Sequence, residues 1–158
     1  MLSLLLGLVP VASAATITVG PSGDHSTIND AISAAVGGDE VLVSSGTYVE
    51  AVSFQGKDLT IRSVGGALVT VIAPSGPDPA VSIESGETDA ILEGFTLAPT
   101  GGGRGLYIHG TSPIIRDSVI EGAGTAGTGQ GGGAYIFGAM VELENTTFRD
   151  NFSAMGAD

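Results

Sequence analysis

At 158 residues the chain is one domain's worth, and it sets 5 Lys plus Arg against 17 Asp plus Glu for a formal charge of −12. That balance argues against nucleic acid or an anionic membrane as partner, because both require a basic surface to displace counterions. There is no cysteine, which excludes a disulfide framework, thiolate chemistry and a cysteine-based zinc site.

The remaining composition has 26 Gly, no Trp, few aromatics and abundant Val, Ile, Ser and Thr. It suits many short strands joined by tight turns and fits a helical bundle poorly. The acidity reads first as a solvated exterior on a secreted protein; divalent cations, calcium among them, are the one partner class it favours.

Residues 1–14, MLSLLLGLVPVASA, form an apolar run closed by Ala12-Ser13-Ala14, the A-x-A pattern of a signal-peptidase site. The run is too short to span a bilayer as a helix. It predicts a cleaved secretory signal over 1–14 and a mature domain over 15–158, although no Lys or Arg precedes the apolar stretch. Secretion, or display at an outer-membrane surface, follows as the expected location, with no membrane insertion by this segment.

After a first strand, ATITVG, the residues Ile28, Ala31, Ile32, Ala35 and Val36 recur at helical spacing. Ser26 or Thr27 caps the start, and Gly37-Gly38 supplies a left-handed stop. This is one short amphipathic helix in a chain otherwise patterned as strands. Such a helix is what a solenoid needs to cover its first, otherwise open, rung.

The strands that follow repeat. GLYIHGTSPIIRDSVIEG (105–122) and GAYIFGAMVELENTTFRD (133–150) align at an offset of 28 residues, matching Tyr107 with Tyr135, Ile108 with Ile136, Ile115 with Leu143, Arg116 with Glu144 and Ile120 with Phe148. A fainter upstream copy brings Ile83, Leu92 and Leu97 into the same columns. Units this small cannot bury an apolar face alone, so they stack as a solenoid. The predicted fold is all-β: a right-handed parallel β-helix with one short N-terminal capping helix.

Parallel strands stack about 4.8 Å apart, so column identity is a physical claim. Alternation places Val81, Ile83, Leu106, Ile108, Ala134 and Ile136 inside. Leu92, Ile115 and Leu143 form a second inner stack, and Leu97, Ile120 and Phe148 a third. Outside, Glu93, Arg116 and Glu144 form a column alternating in sign, read as a structural charge ladder rather than as a lyase base beside calcium. Asp117 and Asn145 form the next column, a polar turn stack. Tyr107 and Tyr135 share another outward column, and His109 and Phe137 a neighbouring one. Those four groups are either a platform for sugar faces or a surface buried beneath the glycine-rich loops GGGR (101–104) and GAGTAGTGQGGG (122–133). His25 and His109 belong to no metal-ligand spacing, and the glycine runs lack the spacing and Lys of a phosphate-binding loop. No catalytic or metal-binding set is complete in the chain, and no cofactor is expected.

The stretch STINDAISAAVGGDEVLVSSGTYVE resembles the N-terminal cap and first rung of right-handed parallel β-helix proteins of the pectin-lyase-like superfamily. In that superfamily the pattern reads xTIxxAIxxAxxGDxVxVxxGxYxE. GTYVE (46–50) also resembles the first motif of pectin methylesterases. Their later DFIFG motif finds only AYIFG here, which puts Ala134 where that family carries a catalytic carboxylate, and the QDTL and GRPW motifs have no counterpart. GGGAYI (131–136) and FRDN (148–151) resemble the GGA(I/V) and FxxN repeats of polymorphic outer-membrane proteins, bacterial surface β-helices with adhesive roles.

The sequence therefore reads as a secreted or cell-surface β-helix that binds glycan or polysaccharide, presents or spaces, without chemistry. The alternative is a polysaccharide-active enzyme, a lyase or an esterase, whose catalytic rungs lie beyond this chain. No capping pattern follows FRDN, so the expectation is of a solenoid that continues, with an exposed last rung.

Overall fold

A computed structural model describes residues 13–126 and 131–154. Most of the expected signal segment, residues 1–12, and part of the second glycine-rich loop lie outside the described residues.

The chain is a right-handed parallel β-helix of about five coils with, among the described residues, one short helix near its start. An entry strand, β1 (Thr16–Val19), leads into α1 (Ile28–Ala34). The first coil follows with β2 (Glu40–Val43), β3 (Gly46–Tyr48) and β4 (Val52–Ser53). The second has β5 (Thr60–Ser63), β6 (Thr70–Ile72) and β7 (Val81–Ile83); the third has β8 (Ile91–Glu93), β9 (Thr96–Leu97) and β10 (Leu106–His109). The fourth contains β11 (Ile114–Arg116), β12 (Val119–Glu121), β13 (Gly124–Ala126) and β14 (Ala134–Phe137). The fifth contains β15 (Glu142–Glu144), β16 (Thr147–Arg149) and β17 (Phe152–Ala154).

Stacked coil on coil, these make three main parallel sheets, β1-β2-β5-β8-β11-β15, β3-β6-β9-β12-β16 and β4-β7-β10-β14, with β13 pairing β17 beside them. Every strand pair is parallel because the chain returns to each sheet travelling in the same direction.

Each sheet turns alternate residues inward, and the inward ones form columns. Ile61, Leu92 and Ile115 stack in one sheet, Ile72, Leu97 and Ile120 in the second, and Ile83 and Ile108 in the third. All of these are fully buried, and a side chain of this kind contributes about 1.5–3 kcal/mol when removed from water. The last described strand of each sheet keeps the register but not the burial: Ile136 of the fourth coil and Leu143 and Phe148 of the fifth occupy their inner columns yet are 42%, 45% and 41% exposed. No further described strand covers them, so the inside expected of Ile136, Leu143 and Phe148 is reached only on one side.

The start of the β-helix explains the long motif around α1 position by position. Thr27 caps the helix through its side chain, accepting from the Asp30 amide, and Ile28, Ala31, Ile32 and Ala35 are buried against the first coil. Asp39 is buried and accepts the amides of Ala15 and Val36, each at 2.8 Å. Glu50 reaches back from the turn between β3 and β4 to accept the amides of Ile28 at 2.8 Å and Asn29 at 3.0 Å, tying the helix to the β-helix. Tyr48 donates its hydroxyl to the Ser44 carbonyl at 2.9 Å.

The helix ends differently from the sequence expectation. Its last residue is followed by Ala35 in an extended conformation, not by a left-handed glycine, and Val36 lies beyond the helix, 57% exposed. The stop is made in tertiary structure: the Lys57 ammonium donates to the carbonyls of Ile32, Ser33 and Ala35 at 2.7, 3.0 and 2.9 Å. Gly38, at φ 92°, serves the turn into β2 instead.

Close backbone approach accounts for a glycine in the GGGAYI stretch. A Cβ on Gly132 would lie 1.8 Å from the Phe152 carbonyl oxygen, which no side chain can accept. The FRDN motif has an equally local cause. Asn151 donates to the Ile120 carbonyl at 2.8 Å and accepts the Ala123 amide at 3.0 Å, holding the turn of the coil before it.

Candidate functional site

The outer face of the β4-β7-β10-β14 sheet gathers the chain's unusual side chains. Register places Ser53, Ser82, Tyr107 and Tyr135 in one outward column, with His109 and Phe137 in a second. Their inward neighbours Leu106 and Ile108 are fully buried, so strand alternation alone turns Tyr107 and His109 outward.

The rings stack along the solenoid axis. Tyr107 and Tyr135 have centroids 5.5 Å apart and planes 13° from parallel; His109 and Phe137 are 5.4 Å apart at 25°. These separations follow the strand spacing and fall in the range of offset aromatic stacks. Tyr107 and Tyr135 are half-buried, whereas His109 and Phe137 are exposed. The GGGR loop reaches this face through one side chain: the Arg104 guanidinium carbon lies 5.3 Å from the Tyr135 ring centroid, a cation–π distance. The sequence reading did not single out Arg104, nor the two serines that continue the tyrosine column. The only signal for them was the register of the upstream coils, which are of unequal length.

Ala134 aligns with Leu106 and Val81 in the inward column. A carboxylate at that position would enter the core column, and none is present. Among the described residues no three His, Asp or Glu side chains gather to hold a metal ion.

The charge ladder lies on a different sheet. Arg62, Glu93, Arg116 and Glu144 are in register there. Arg116 donates through Nε and Nη2 to one oxygen of Glu93 at 2.9 and 2.8 Å. That hydrogen bond, then the Glu93 charge, with smaller contributions from Glu144 and Asp117, raises the Arg116 pKa above its ordinary value. Arg62 turns instead to Glu40 of the first coil at 2.8 Å, and Arg149 pairs with Glu121. Arg116 and Glu93 side chains are 36% and 24% exposed, so their pair contributes at most about 1 kcal/mol. The turn column beside it is held by Asn145 donating to Asp117 at 2.6 Å, both residues at positive φ.

No protein-family model matches the chain, and no curated protein sequence matches it significantly. Among solved structures it is similar to the pectin methylesterase from Aspergillus niger in deglycosylated form, with a TM-score of 0.57 and 20% identity over 91% of this chain. The penultimately deglycosylated form of that enzyme gives a TM-score of 0.56 and 19% identity over the same 91%. The likeness is one of fold. The chain spans 60% of the length of either enzyme structure. The right-handed parallel β-helix expected from the sequence is thus present, while the finer likeness to polymorphic outer-membrane proteins has no counterpart among these matches. Among the described residues no helix is long and apolar enough to cross a membrane.

Proposed function

We propose that this protein is a secreted or surface-displayed β-helix that binds carbohydrate without transforming it, using the outer face of the β4-β7-β10-β14 sheet. The observation that carries the reading is the double ring ladder, Tyr107 on Tyr135 and His109 on Phe137, partly open to solvent on a rigid sheet. Stacked rings held by strand register are ordered in advance, so a sugar that packs its C–H face on them costs little side-chain entropy. Ser53 and Ser82 extend the same line with hydroxyls, and Arg104 borders it. In this reading the resemblance of GGGAYI and FRDN to adhesive surface proteins is a likeness of role as well as of pattern.

The test is glycan-array binding by the protein and by the Tyr107→Ala/Tyr135→Ala variant. Loss of both rings is expected to weaken binding about tenfold or more. Unchanged affinity in a folded double variant removes the ring ladder from the binding site.

The fold likeness to a pectin methylesterase favours one second reading, a pectinesterase-like enzyme. Methanol release from methyl-esterified polygalacturonate decides between the two: turnover by this chain overturns the non-catalytic assignment.

A further inference from the structure

The GTYVE stretch has a role at the opposite end of the solenoid from the ring ladder. It forms one wall of a cleft of about 380 Å³ between the start of α1 and the first coil. That volume lies within the range of small-molecule sites. Pro21, Ser26 and Thr27 line the cleft from the helix side, together with Thr47 and Val49 of the first coil.

Three features define what the cleft can take. The hydroxyls of Ser26 and Thr47 make no hydrogen bond to any described protein group, so each offers both a donor and an acceptor, whereas the Ser45 Oγ lies against Gly65 of the second coil. Pro21 and Val49 are exposed apolar surface at the rim, Val49 at 68%. The charged groups, by contrast, are already satisfied. Glu50 Oε1 accepts the Ile28 amide, and Oε2 accepts the Asn29 amide and its side-chain Nδ2 at 2.8 Å. Thr27 Oγ1 takes the Asp30 amide at 3.1 Å.

With those amides taken, the helix start has no donor left for an anion, and the Glu50 charge repels one. A cation finds a carboxylate already holding three N–H groups. Unused hydroxyls beside small aliphatic surfaces match a molecule that is uncharged, rich in hydroxyls and apolar on one face. We infer that this cleft binds a neutral polyol of the size of one hexopyranose unit, independently of the ring ladder.

Two-dimensional amide NMR with methyl β-galactopyranoside and with sodium galacturonate as probes tests the assignment. The neutral glycoside is expected to shift the amides of Gly20, Gly46 and Thr47, and galacturonate to bind more weakly. Ser26→Ala combined with Thr47→Val retains the shape of the cleft and is expected to reduce affinity for the glycoside about tenfold. Tyr107→Ala/Tyr135→Ala should leave these shifts unchanged, which separates this cleft from the ring face. The inference is overturned if the amides stay unmoved at saturating glycoside, if the folded hydroxyl variant binds as well as the parent, if galacturonate binds more tightly, or if the ring variant abolishes the shifts. Should the double hydroxyl variant fail to fold, Thr47→Val alone is expected to weaken binding a few-fold, and no change on that variant overturns the inference equally.

Discussion

Truncating the same column at two heights measures how far burial, and not residue type, sets stability in this β-helix. Leu92 is fully buried between Ile61 and Ile115, while Leu143, two coils later in the same column, is 45% exposed and has only Ile115 beneath it. Leu→Ala at a closed core position costs about 2–5 kcal/mol, from lost transfer energy plus the cavity left behind. Leu143 begins with roughly half its surface in water and leaves an open notch instead of a cavity, so its truncation should cost about 1 kcal/mol. Urea unfolding followed by far-UV circular dichroism, fitted with a shared slope, gives both values. Hydrogen exchange would show whether Leu143→Ala acts on the fifth coil alone, as nearest-neighbour stacking implies. Equal costs for the two variants, within about 0.5 kcal/mol, would refute the account in which burial rises from the last coil inward.

Two further outcomes rest on the start of the solenoid. Lys57→Met removes the ammonium that holds the carbonyls of Ile32, Ser33 and Ala35; a thermal melt should register a loss of about 1–2 kcal/mol, and an unchanged melt would show that water caps this helix equally well. The second outcome concerns acid. Asp39 is held below the ordinary carboxylate value of 3.8 by the Val36 and Ala15 amides, Asp24 by Thr18, and Asp58 chiefly by the Asp89 amide with help from Thr88. A group with a lowered folded pKa stabilises fully above its unfolded value, and that stability is lost as pH falls through the folded one. Stability should therefore hold from neutrality to about pH 5 and fall below about pH 4. Asp39→Asn should lower it at neutral pH and flatten the acid limb; parallel limbs for parent and variant would assign the acid loss to other groups.

Much of the fold was legible in the sequence. The 28-residue offset between Tyr107 and Tyr135 is the register of β10 on β14, and the fainter copy around Ile83, Leu92 and Leu97 is the register of β7, β8 and β9 on the strands that follow them. Upstream the signal weakens because the coils are unequal: from Glu40 the same sheet is revisited at Thr60, Ile91, Ile114 and Glu142. With loops of such different lengths no fixed offset aligns Arg62 with the charge ladder, and its partner Glu40 sits diagonally to it. The ring face was legible as two pairs of residues. That their rings lie nearly parallel, with Arg104 over one of them, was not.

Sequence by itself determined which residues point in and which point out, because a side-chain period of two and a repeated coil leave no other consistent assignment. It also determined that one helix lies between the entry strand and the coils. Only the tertiary structure decided what ends that helix, which carboxylates hold backbone amides, how far each coil is buried and which hydroxyls remain unused. Those outcomes depend on groups brought together from different coils, and the loop lengths that set their approach follow no period a sequence pattern can carry.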